Sequence, residues 1–168
     1  MPYPEQLVKP MRDELVRIGV VELRDSAAVN EAFAGPEDET RLLVINSVCG
    51  CAAANARPAV TLSRQAEVQP DAFFTVFAGQ DLEATAQARG FLVGIPPSSP
   101  FIALFKGTDP VFVLERRHIE GRSASAIAMD LVRAYETYCS GNGESQPVAD
   151  AGTSDKADQL PPTFKSIL

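Results

Sequence analysis

Cys49 and Cys51 stand one residue apart in "VINSVCGCAAANARPAV", residues 44–60, with Gly50 between them. The chain has three cysteines in 168 residues, so two in one short segment call for a chemical reason. The run before them, Arg41–Val48, is apolar and rich in branched residues, as suits a strand buried on both faces. The alanine-rich run after them, residues 52–65, is helix-forming, and Pro58 is expected to kink it. The pair therefore falls where the carboxyl end of a strand meets the first turn of a helix, the edge at which open α/β sheets bind ligands. Unpaired N–H groups and the positive dipole end stabilise an anion there. The thiolate is the nucleophilic form of cysteine. No acidic side chain lies within five residues of either cysteine to oppose it.

Thiol–disulfide exchange follows from that placement. A disulfide between cysteines two apart closes a tight ring, which a side chain at Gly50 would obstruct. Such a bridge is strained and easily reduced, better suited to exchange than to cross-linking. Three alternatives compete. The cysteines could be two small core residues. They could supply two metal ligands, but a closed zinc site takes about four, and the remaining donors, Cys139 and His118, each stand alone in their segments. A Cys–His hydrolase would have to rest on His118, the single histidine.

The surrounding pattern gives the scaffold. Leu7, Val8, Met11, Leu15 and Ile18 recur at helical spacing, so residues 4–18 form a surface helix. Residues 26–34 read as a short helix capped by Ser26. "AFFTVFAG", 72–79, is a second buried strand, and Asp81 caps the helix after it. "FIALFKG", 101–107, is a third strand, "DP" at 109–110 marks a turn, and "VFVLERRHI", 111–119, is a fourth strand. Ser123 caps a long helix whose Ile127, Leu131, Tyr135 and Tyr138 share a face. The expected fold class is α/β: a mixed four-stranded central sheet with helices on both faces, its first two strands parallel and its last two an antiparallel hairpin. Pro100 stands directly before the third strand, where a missing N–H costs no ladder bond. A cis bond at Ser99–Pro100 would present backbone polar groups to a substrate beside Cys49.

Apolar residues make up 45% and charged residues 22%, as in a globular domain. The net charge of -7 argues against nucleic acid and anionic membranes as partners. No apolar run reaches the roughly 18–20 residues of a membrane span, and the charged N-terminal segment is unlike a signal peptide. A cytoplasmic location is expected, where structural disulfides are rare. The domain is expected over 1–140. Residues 141–168 are rich in Gly, Ser, Asp, Pro and Gln and are expected to form a disordered tail.

The order of elements, the cysteine motif between strand and helix, and the proline before "FIALFKG" resemble the thioredoxin fold. "VINSVCGCAAANARPAV", "TVFAGQDLEATAQAR", "PPSSPFIALFK", "ERRHIEGR" and the N-terminal "PYPEQLVKPMRDEL" resemble the bacilliredoxin family, thioredoxin-like proteins with a CGC motif. The resemblance spans about residues 2–139. It implies reduction of mixed disulfides between cytosolic proteins and bacillithiol, a low-molecular-weight thiol that acts as co-substrate, with no bound cofactor or metal. Carried over by position, Cys49 attacks, Cys51 resolves, and Pro100 matches the fold's cis-proline. Gly50, Ser99, Pro100 and Arg57 are the expected substrate-side residues. Bacillithiol carries a malate, for which Arg57, Arg116 and Arg117 are the cationic candidates. Asn46 and Ser47 are placed to orient the loop. A general protein disulfide isomerase, or a non-catalytic thiol-based redox or metal sensor, remain alternative functions.

Overall fold

All seven residues of Thr40–Asn46 are buried, and the sheet is built around this strand, β2. Its side chains alternate between two apolar layers. Leu42 and Val44 pack with Ala59, Val60, Ile127 and Leu131, whereas Leu43 and Ile45 pack with Val29, Ala84, Phe101 and Phe105. A strand that reads as continuously apolar is thus one that serves both faces. The computed structural model describes residues 2–140 and the pair 149–150.

In chain order the elements are α1 (Glu5–Val16), β1 (Val21–Glu22), α2 (Ser26–Ala32), β2, a π-helical turn (Ala52–Ala56), α3 (Arg57–Ser63), β3 (Ala72–Phe77), α4 (Leu82–Arg89), β4 (Phe101–Lys106), β5 (Asp109–Leu114), α5 (Arg116–Ile119), α6 (Ala124–Tyr138) and β6 (Ala149–Asp150). The sheet order is β1-β3-β2-β4-β5-β6. β2 and β3 are parallel, and β4 lies antiparallel between β2 and β5. The four central strands are the expected mixed sheet, in the arrangement of a thioredoxin-like fold. Two-residue strands extend it at either edge. The tail expected over 141–168 lies outside the described residues, apart from Ala149 and Asp150, which pair with Phe112 and Val113 of β5. Among the described residues no helix is long and apolar enough to cross a membrane.

Several local expectations are corrected. The strand expected over 111–119 ends at Leu114, because Glu115 and His118 form a reciprocal capping box that starts α5. The hairpin turn lies at Gly107–Thr108, and Asp109 and Pro110 already belong to β5. Gly107 has φ +62°, and a Cβ there would meet the Glu37 carbonyl oxygen at 2.6 Å. Asp25, not Ser26, caps α2, accepting from the Ala28 N–H at 2.8 Å. Asp81 precedes α4 but turns its carboxylate to Arg12, at 2.6 and 2.9 Å, instead of capping. On α1, Leu7 is 51% exposed, while Arg12 is buried beside Val8 and Leu15. Ion pairs with Glu5 and Asp81 let the guanidinium occupy that place. Ser123 caps α6 as expected, accepting from the Ala126 N–H at 3.1 Å.

Leu43 makes no contact with solvent and belongs to the β2 side that faces α2 and α4. Leu43→Ala should lower unfolding free energy by about 3 kcal/mol through lost burial and the cavity left behind. Urea denaturation measures this.

Candidate active site

The chain leaves β2 through Ser47 and Val48, and Cys49 caps the next helix from its amino end. The Ala52 and Ala53 N–H groups donate to the Cys49 carbonyl at 3.1 and 3.3 Å. Pro58 does not break this helix. The turn Ala52–Ala56 widens to a π geometry in which the Arg57 N–H reaches the Ala52 carbonyl, and α3 continues with Pro58 in its first turn. The expected kink is therefore a π-turn directly behind the cysteines.

Cys49 and Cys51 are free thiols with sulfurs 2.7 Å apart, sharing a hydrogen bond. The Ser47 hydroxyl donates to the Cys49 sulfur at 3.1 Å. Burial acts to raise the Cys49 pKa, but the Cys51 thiol, the Ser47 hydroxyl and the N–H groups of Ala52 and Cys51 outweigh it and hold the pKa below the ordinary thiol value. Cys51 moves the other way. Burial raises its pKa, and so do its hydrogen bond to Cys49 and the charge there; the Arg116 guanidinium only partly offsets them. The two shifts run in opposite directions, which makes Cys49 the more acidic thiol of the pair.

The loop is held from beneath. Asn46 donates through Nδ2 to the Met11 carbonyl at 3.2 Å, and its Oδ1 accepts from the Ser47 N–H at 2.9 Å and from Arg57 Nη1 at 3.0 Å. Arg57 also donates to the Ser47 carbonyl at 3.0 Å and to Glu14 at 2.8 Å. It is 2% exposed, so it does not serve as the substrate-side cation expected from the sequence. Its guanidinium fixes the residue that hydrogen-bonds the Cys49 sulfur. Asn46 and Ser47 have the loop-orienting role expected of them, and Ser47 goes further by touching the sulfur.

Cys49 opens onto a cleft of about 240 Å³ at the carboxyl ends of β2 and β3. Ser47, Val48 and Cys49 contribute from one loop and Ala78 and Gly79 from the next, joined by Ser99, Arg116 and Tyr3. The Ser99–Pro100 bond is cis, and Pro100 is buried at the head of β4. Gly50 is exposed outside the cleft, and with the thiols free a Cβ there would meet nothing within 4 Å. Arg116 is the arginine that lines the cleft. It binds Glu120 at 3.4 Å and leaves 45% of its side chain exposed. Arg117 pairs with Glu115 at 2.9 Å. The sequence signal for Arg116 was only its charge; the turn into α5 is what brings it to the cleft.

The two remaining donors are accounted for. His118 accepts the Glu115 N–H through Nδ1 at 3.0 Å as part of the capping box. Cys139 hydrogen-bonds Thr40 at the start of β2, the opposite end of the strand from Cys49, a separation of about 20 Å at ~3.3 Å per residue. Burial pushes its pKa up to about 11. Among the described residues no group of three or more His, Cys, Asp or Glu side chains could hold a metal ion.

Alkylation at pH 7 followed by peptide mass spectrometry should therefore label Cys49 first and Cys139 last. Ser47→Ala should slow Cys49 labelling roughly threefold to tenfold at that pH, since one of the donors to the thiolate is lost. Equal rates in Ser47→Ala and the parent would show that the hydroxyl does not stabilise the anion.

The family model described as disulphide isomerase matches residues 3–139. Two bacilliredoxins of Salinibacter ruber are 58% and 52% identical, each alignment covering 99% of both chains. The bacilliredoxin GK1781 of Geobacillus kaustophilus is 49% identical over 82% of this chain and 94% of its own. Among solved structures, the oxidised thioredoxin from Plasmodium falciparum overlaps 70% of this chain and 98% of its own at a TM-score of 0.49 and 16% identity. With relatives this similar along nearly the whole chain, and with paired thiols at the helix start, the chain belongs to the bacilliredoxin family.

Proposed function

We propose that the protein is a cytoplasmic thiol–disulfide oxidoreductase that removes bacillithiol from S-bacillithiolated cytosolic proteins. The observation that carries this reading is the asymmetry of the pair: Cys49 lines the cleft and accepts from the Ser47 hydroxyl, which lowers its pKa, whereas Cys51, 2.7 Å away, has its pKa raised. An attacking thiol works best when it is ionised near ambient pH.

In the first step the Cys49 thiolate attacks the bacillithiol sulfur of the mixed disulfide. The protein–bacillithiol S–S bond breaks as the Cys49–bacillithiol bond forms, and the target cysteine leaves as a thiolate that takes a proton from water. Cys49 is then uncharged. The hydrogen bond and charge that kept the proton on Cys51 are gone, whereas Arg116 still favours its thiolate. Cys51 loses its proton to solvent and attacks Cys49. Bacillithiol leaves, and the two cysteines are joined in a disulfide that external thiols reduce. A second small thiol attacking the bacillithiol sulfur would instead return Cys49 directly. Arg116, exposed in the cleft, is the residue to pair with the malate.

The description of the family as disulphide isomerase favours a second reading, a general protein disulfide isomerase acting through the same thiols. Turnover of a scrambled-disulfide protein faster than of a bacillithiolated one would favour it.

Cys49→Ser should abolish release of bacillithiol from a modified protein. Cys51→Ser should leave attack intact and accumulate the Cys49–bacillithiol adduct, visible as added mass on the intact protein. Full reductase activity in Cys49→Ser would overturn the assignment.

A further inference from the structure

Tyr3 takes no part in the exchange chemistry, yet it is built into the cleft. It is a large side chain left 42% exposed, and it lines the cavity that holds Cys49. It is also pinned. The Tyr3 N–H donates to Gln80 Oε1 at 2.8 Å, and Gln80 Nε2 donates to the Tyr3 carbonyl at 3.0 Å, so one side-chain amide holds both backbone groups. The same Nε2 donates to Glu5 at 3.1 Å; Glu5 accepts from Arg12 Nε at 2.8 Å, and Arg12 binds Asp81. Gly79 completes the seat. Its φ of +77° suits glycine, and a Cβ there would lie 3.8 Å from the Tyr3 ring.

Ordering a terminal segment costs conformational entropy. Here that order leaves an aromatic side chain partly exposed in the lining that holds Cys49 instead of burying it. An amphipathic ring carried on an anchored backbone offers contact area at little further cost in freedom. Arg116 adds a guanidinium to the same lining. Ring and cation together match an arm that carries both an apolar C–H face and a carboxylate. The malate of bacillithiol supplies the carboxylate.

We propose that Tyr3 is a specificity-determining residue whose ring packs against the arm of the small thiol transferred to Cys49, selecting cyclic, carboxylate-bearing arms over short acyclic ones. This rests on the de-bacillithiolation reading above. The test compares one target protein modified with bacillithiol and with cysteamine, whose arm has neither ring nor carboxylate. The parent protein should show the higher kcat/KM for the bacillithiol form. Tyr3→Ala should reduce that preference about tenfold, mainly through KM, and Tyr3→Phe should retain it. An unchanged preference in Tyr3→Ala overturns the role of Tyr3 and leaves the proposed function standing. No preference in the parent protein overturns the bacillithiol reading and this inference with it.

Discussion

The hydrogen bonds that converge on the Cys49 sulfur are the constraint on which the site depends. Burial opposes ionisation, and what favours the Cys49 anion is that the Ser47 hydroxyl, the Cys51 thiol and the first backbone N–H groups of the helix are aimed at one atom. Each donor is placed by something further away. Ser47 is positioned by Asn46 and Arg57, which are anchored by Met11 and Glu14 on α1. The N–H groups are placed by the π-turn that accommodates Pro58. β2 delivers the loop to the cleft because the alternation of Leu42, Leu43, Val44 and Ile45 fixes it against both helical layers.

The two arginines show how burial divides labour among like residues. Arg57 is enclosed, and its donors are committed to Asn46, Ser47 and Glu14, so its charge serves the loop. Arg116 stays in solvent at the cleft, where its charge reaches both thiols and remains open to an anion. Exchanging a buried hydrogen-bonded arginine for a neutral residue would strand its partners, whereas the exposed one can be lost with little effect on folding.

Much of this was legible in the sequence because it depends on short-range pattern. The apolar run of Arg41–Val48, the alanine run after it and Pro100 before β4 each announce their element, and the position of Cys49 at a helix start follows from adjacency alone. What was not legible depends on partners distant in the chain. Arg57 meets Glu14 from 43 positions away, and Arg12 meets Asp81 from 69. Neither partner marks the arginine as buried. A strand of two residues such as β1 is too short to show a period. α5 starts from a capping box inside a run that otherwise reads as strand.

The donors around Cys49 make it more acidic than an ordinary thiol and more acidic than Cys51. Titrating thiolate absorbance at 240 nm in the doubly substituted Cys51→Ala, Cys139→Ala protein would confound that comparison, because Cys51 is itself a donor, so the titration belongs on the Cys139→Ala protein. The expected result is a first ionisation step for Cys49 below about 8.5, the value of an unperturbed cysteine, followed by a separate step at higher pH for Cys51. A single step at or above that value for both thiols would show that the donors do not favour the Cys49 anion.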